Sequence, residues 1–337
     1  MKLPLDFGIK LFFRLLLPGF FLALGLLPAM LALLHSTGLI AQMEIAFVAA
    51  AILMGWLILA ADEPIYRLLE GRRYWPSWLW RKLHNSEVDR LKELGKQIDA
   101  YFLNQHPSEE QKRQYLEASV ERRSFPIGED GQPYVEYPSR LGNLIHSFET
   151  YSDTRYGLDA IFYWPRIWVN LDKDTREELD STQAMADSAV YCTFALACLG
   201  LMWMLYALLG LVNAPAGSLA LKVGLLSALL PPGVFRYLPS VPTSLIIAAT
   251  TLVLSRVVYH FAFFTNQKFG TVFMALVDTH VGKVGTYVDV AGITKKVARA
   301  AQIPTTGDGE FEITRRYLQY FQVKLPGRPR SGACQGV

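Results

Sequence analysis

The chain alternates between long apolar runs and one long polar block. Residues 15–34, 45–61 and 189–212 contain no charged side chain, and residues 241–264 are interrupted only by Arg256 and His260. A helix of 20 residues rises about 30 Å, the thickness of a bilayer's hydrocarbon core. Each run therefore predicts a membrane-crossing helix, because lipid offers no partner for unpaired backbone groups. A cleaved signal peptide is the competing reading of the first run. The run is too long for one, no small-residue cleavage site follows it cleanly, and a second run comes almost at once. Between the third and fourth runs, the uncharged stretch 223–235 contains Pro231 and Pro232 and is too short to cross. An interfacial or re-entrant segment is expected there.

The expected fold is all-α, with four transmembrane helices as two hairpins. Residues 1–62 form the first transmembrane hairpin and 63–188 a cytoplasmic helical insertion. Residues 189–264 form the second hairpin, 265–325 a C-terminal cytoplasmic helical region and 326–337 a disordered tail. Basic residues set the orientation. Lys2, Lys10 and Arg14 precede the first run, and Arg67, Arg72, Arg73, Arg81 and Lys82 follow the second. The turn at 35–44 has no Lys or Arg, and the 213–240 connection has only Lys222 and Arg236. Both termini are expected in the cytoplasm, with the protein multi-pass in the inner (plasma) membrane.

The insertion carries 22 of the chain's 30 acidic residues and 17 of its 33 basic ones. Near its start, Trp75, Trp78 and Trp80 are flanked by basic residues, which suits the headgroup layer; Trp164 and Trp168 are assigned there too. Apolar spacing predicts a helix over 85–105, from Val88 to Phe102, capped by Asn85 or Ser86. A second helix is predicted over 108–123, opened by Ser108, and a loop over 126–138. In 139–170, Leu141, Leu144, Ile145 and Phe148 form an apolar stripe, with His146 and Glu149 on a solvated side. The aromatic segment 156–168 is expected at the membrane surface or in a subunit contact. From Asp174, with Thr175 as cap, a helix is predicted to run into the third span, projecting about 20 Å from the membrane. Helical spacing also continues past residue 264. A turn at 307–309 and a short helix at 310–322 follow.

Composition changes this picture little. Hydrophobic residues are 51% and charged residues 19%, below the roughly 25% of soluble domains. A net charge of +3 is too small to argue for nucleic acid. Cys192, Cys198 and Cys334 match no metal or redox spacing, and the first two read as core residues. Phosphate-loop, nucleophile-elbow, zincin and dinucleotide motifs are absent from the sequence. No catalytic residue, cofactor or metal is therefore assigned, and the chain is expected not to be an enzyme. The His146–Glu149 pair reads as a solvated helix face, and Asp278 and His280 face different ways.

The candidate chemistry lies in the spans. Arg256 and His260 share one helix face and, with Ser255 and Thr251, are pore-lining or intramembrane polar candidates. Arg14, Asp62 and Glu63 are ion-pair candidates, with snorkelling as the competing account of the arginines. Small residues recur at Ala49, Gly55 and Ala60, at Ala195, Gly200 and Ala207, and at Ser244, Ala248, Thr251 and Ser255. Close helix contact is their commoner cause.

The stretch SRLGNLIHSFETYSDTRYGLDAIFYWPRIW, with YRLLEGRRYW after the second run, resembles segments of an uncharacterised (hypothetical) bacterial multi-pass membrane protein family of unassigned function. The resemblance implies no activity and no site residue. The expected function is a non-enzymatic, homo-oligomeric channel or pore. The alternative is a membrane-anchored scaffold, sensor or effector whose cytoplasmic domain binds a partner protein. The expected partners are the lipid bilayer, further copies of the chain and a protein on the cytoplasmic side, with no nucleic acid.

Overall fold

The computed structural model describes residues 11–104, 106–128, 130–212, 234–287 and 314–315. The 223–235 re-entrant segment therefore lies almost wholly outside the described residues. So do the 307–309 turn, nearly all of the 310–322 helix and the 326–337 tail. Among the described residues the fold is all-helical, with a single isolated bridge, Ile127 to Pro133, in the predicted 126–138 loop. The helices are α1 (Leu17–Ser36), α2 (Met43–Ala60), α3 (Asp62–Leu69), α4 (Ser77–Leu103) and α5 (Glu109–Arg122). They continue as α6 (Arg140–Tyr156), α7 (Ala160–Asn170), α8 (Lys173–Val212) and α9 (Val241–Tyr287).

Four helical stretches are long and apolar enough to cross a membrane: Phe12–Ser36, Ile40–Ala60, Lys173–Leu211 and Val241–Val284. They coincide with the four apolar runs. The last two have 39 and 44 residues, so at 1.5 Å per residue each is about 60 Å long or more, twice a hydrocarbon core. Each therefore continues well beyond any bilayer it crosses.

Glycine allows α1 and α2 to touch backbone to backbone. A Cβ on Gly19 would strike the Ala51 carbonyl and the Gly55 backbone, and one on Gly55 would strike the Leu15 carbonyl. The buried face of α2 is thus Ala51, Gly55 and Ile58. Of the small residues expected at contacts in the second span, only Gly55 belongs to that face; Ala49 and Ala60 are exposed. The reason is phase, since positions 49 and 60 lie off the 51–55–58 stripe. In α8 the expected set is right throughout: Ala195, Gly200 and Ala207 are all buried. Ser244, Ala248 and Ser255 of α9 are buried as well. A Cβ on Gly200 would reach the Leu252 side chain at 2.7 Å and Thr251 Oγ1 at 3.0 Å, so α8 and α9 meet along these rows.

The remaining helices pack against the ends of the apolar runs and beyond them. The α6 stripe Leu141, Ile145 and Phe148 joins Val190, Ala262 and Val277 in one core. Tyr163 and Ile167 of α7 and Leu179 of α8 meet Val284 of α9 in a second. The aromatic segment 156–168 contributes to both cores: Tyr163 is fully buried, and the Trp164 ring lies 4.8 Å from that of Phe273, tilted by 44°. Helices α4 and α5 form an arm closed by Leu94, Ala118 and Phe125. Ser108 caps α5 in a capping box with Gln111, as its sequence position predicts.

Two helix starts differ from expectation. Helix α4 begins at Ser77, not near Asn85, because Pro76 fixes an extended backbone and nothing between Ser77 and Asn85 breaks the helix. The α8 cap is Asp172: its carboxylate accepts bonds from the Thr175 N–H at 2.9 Å and the Thr175 hydroxyl at 2.7 Å. Thr175 is the residue being capped.

Candidate functional site

Where α8 leaves its apolar run, Asp187 is 4% exposed. A carboxylate buried this deeply costs several kcal/mol unless its charge is paired and its oxygens are bonded. Both conditions are met. Arg14 pairs with Oδ2, and the Tyr66 hydroxyl donates to Oδ1 at 2.6 Å. Arg14 also lies 3.9 Å from Asp180. It sits in a π-helical turn, Phe12–Leu16, ahead of α1. The wider turn shifts the backbone ladder, and the Phe13 carbonyl there accepts a bond from Ser188 at 2.9 Å. One turn along α8, the Tyr191 hydroxyl donates to Asp62 at 2.7 Å. Three separate elements, α1 with its π turn, α3 and α8, are therefore tied at one polar node.

A second charged group lies beside it. Arg72 pairs with Glu70 and donates to Glu149 at 2.5 Å, while its guanidinium lies 4.9 Å from the Tyr137 ring centre. His146 Nδ1 is 3.9 Å from Glu149, and its Nε2 is 3.1 Å from the Tyr134 hydroxyl. The side chains of His146 and Glu149 are only 18% and 24% exposed, so this pair is a packed cluster and not the solvated face expected from spacing. The α6 start is pressed against the end of α3. Ser139 donates to the Glu70 carbonyl at 2.8 Å, and a Cβ on Gly142 would collide with the same carbonyl.

The two groups face one cleft of about 370 Å³. Asp62, Glu63, Glu70, Glu149 and Asp187 line it with Arg67, Arg72, Gln183 and Asn266. Burial raises the Glu70 pKa to about 7; Arg72 opposes the rise and Glu149 adds to it. For Glu149 burial again acts upward, but the hydrogen bonds and charges of His146 and Arg72 outweigh it and hold the group below the usual range. The two carboxylates share one arginine yet diverge: the His146 hydrogen bond is the largest downward influence on Glu149, whereas Glu70 has only the charge of Arg67 besides Arg72 and is raised by Glu149 itself. Among the described residues, no group of three His, Cys, Asp or Glu side chains is arranged to hold a metal.

The residues singled out from sequence fall in different places. Arg14 is in the node, but its carboxylate is Asp187 and not Asp62 or Glu63. Asp62 takes the Tyr191 bond, and Glu63 pairs with Arg67. Ser255 is buried and donates to the Thr193 carbonyl at 2.9 Å; Thr251 bonds back to Ile247 and Ala248. Both hydroxyls are satisfied by helix backbone. Arg256 and His260 are exposed, with Arg256 5.3 Å from the Tyr259 ring centre. The Trp75 indole N–H donates to the Leu68 carbonyl and that of Trp80 to the Gly71 carbonyl. Both rings are thereby tied to the end of α3. Trp78 is 64% exposed, while Trp164 and Trp168 are half-buried against α9. Sequence reasoning missed Asp187 and Tyr66. The available signal was depth: Asp187 is the last charge before its apolar run, as Arg14 is before the first.

The class defined by these features is an all-helical membrane protein with a charged cleft at the foot of its apolar helices. Neither a family model, nor a curated protein, nor a solved structure matches the chain.

Proposed function

We propose that this chain is a non-enzymatic, membrane-anchored sensor or effector. In this reading its four spans form two hairpins, with residues 63–188 and both termini in the cytoplasm. The observation that carries it is the Asp187 node, because one carboxylate joins two spans to the short helix that opens the insertion. A change at the cleft thus has a direct mechanical route to the spans. Glu70, with a pKa of about 7, makes protonation the first state such a cleft would report.

The homo-oligomeric channel is the second reading. It draws support from Arg256 and His260, which face outward where a conduit between copies would need polar side chains. The test uses the full chain in liposomes and in mild detergent. The sensor reading expects no ion flux above protein-free liposomes. It also expects the protection from hydrogen exchange over residues 62–72 and 139–150, taken relative to the intrinsic rate at each pH, to differ several-fold between pH 6 and 8, a difference lost in Glu70→Gln. Flux together with ring-shaped particles and pH-independent protection would sink it in favour of the channel.

A further inference from the structure

An apolar groove of about 410 Å³ runs between α5 and α9. Leu116 and Val120 form one wall and Phe263 and Phe264 the other. Leu116, Val120 and Phe264 are 61%, 53% and 62% exposed, an apolar strip that water would not favour. The groove lies at the depth where the α9 apolar run ends, between Arg256 and Lys268. Its polar end is basic. Arg140 lines it, 5.3 Å from the Phe263 ring centre, and has a buried Nε–H with no hydrogen-bond partner. His260 lines it too, one helical turn after Arg256. Among the described residues, Arg256 pairs with no carboxylate; its guanidinium lies over the Tyr259 ring, and its charge also acts on Arg140 and His260. Glu117 and Glu121 also line the groove, and each already has a basic partner. Glu121 is held by Arg90 and Arg140, Glu87 by Arg90, and Glu117 lies 3.9 Å from Arg113.

We infer that this groove is a binding site for one anionic phospholipid of the surrounding bilayer, its acyl chain along Leu116, Val120 and Phe264 and its phosphate between Arg256 and Arg140. The ligand class follows from the pairing of surfaces: an apolar trough at the end of a membrane helix, closed by the Arg140 guanidinium, with the exposed Arg256 within electrostatic reach one helical turn before His260. A phosphate there supplies the counter-charge Arg256 lacks and acceptors for fork-shaped donors. A zwitterionic lipid brings its own cation beside those arginines and is disfavoured.

The test is native mass spectrometry of the full chain in mild detergent with added phosphatidylglycerol or phosphatidylcholine. The wild type is expected to retain phosphatidylglycerol at least about fivefold better, and Arg256→Gln to lose about that factor, as one arginine near a lipid surface contributes. Arg256→Lys should keep most of the preference. Leu116→Glu, at an exposed position that leaves the fold intact, should abolish retention by blocking the trough; unchanged thermal unfolding confirms that each variant is folded. Millimolar inorganic phosphate should not displace the lipid. Equal retention of both lipids, a preference that survives both Arg256→Gln and Leu116→Glu, or displacement by inorganic phosphate would each overturn the assignment.

Discussion

Asp187 is the residue on which most of the described polar architecture turns. Removing Arg14 alone strands a buried carboxylate, which typically costs 3–5 kcal/mol. Arg14→Leu is therefore expected to lower thermal stability in detergent sharply. Arg14→Leu with Asp187→Leu should recover most of the loss, because the uncompensated charge goes with its partner. A double variant as unstable as the single one would contradict this account. Glu70 gives a second prediction, with a definite sign. Its folded pKa of about 7 lies above the ordinary carboxylate value, so its favourable contribution is full below about pH 4.5 and is lost as pH rises through 7. The loss amounts to at most ~3 kcal/mol. Glu70→Gln removes that titration, so its advantage in melting temperature over the wild type should grow from pH 5 to 8 and then level off. Half of this chemistry was legible in the sequence. Arg14 stood out as a charge at the edge of an apolar run, but its partner lies 173 positions away. Asp62 and Glu63 sit at a similar depth, and sequence depth alone cannot say which face of which helix meets which.

At the scale of elements, the apolar runs were readable because length and the absence of charge suffice to mark them. Helix starts were harder. The run from Ser77 to His84, ahead of the helix expected over 85–105, is the first two turns of α4, with Trp80 stacked on His84 at 4.6 Å. Contact faces were legible where small residues fell in phase, as in α8 and α9, and misplaced where they did not, as in α2. Gly55 is the sharpest case. Gly55→Leu would put a side chain into the Leu15 carbonyl, and no rotamer avoids a backbone clash. The expected result is loss of the α1–α2 contact, read as loss of a crosslink between cysteines placed at Phe20 and Phe47, whose rings lie 5.5 Å apart. Ala49→Leu, on the exposed side of the same helix, should leave the crosslink intact.

For the whole molecule, the proposed orientation makes a prediction about access. In a background lacking Cys192, Cys198 and Cys334, single cysteines at Gly38 and Asn104, both exposed, should label from opposite sides of the membrane. Asn104 should react only with reagent that reaches the cytoplasm. Labelling of both from one side would remove the two-hairpin arrangement. The long helix α9 has a consequence of its own. Over Val241–Tyr287 it is one uninterrupted rod of 47 residues, about 70 Å from end to end. A rod does not bend to absorb a small displacement; it passes the displacement on. Pivoted at its middle, a tilt of about 5° moves each end by about 3 Å in opposite directions. That is close to the radius of a side chain, enough to open or close a packed contact. The molecule thus carries a lever longer than a bilayer's hydrocarbon core is thick, with the α6 and α7 cores gripping one arm and α8 packed along the other.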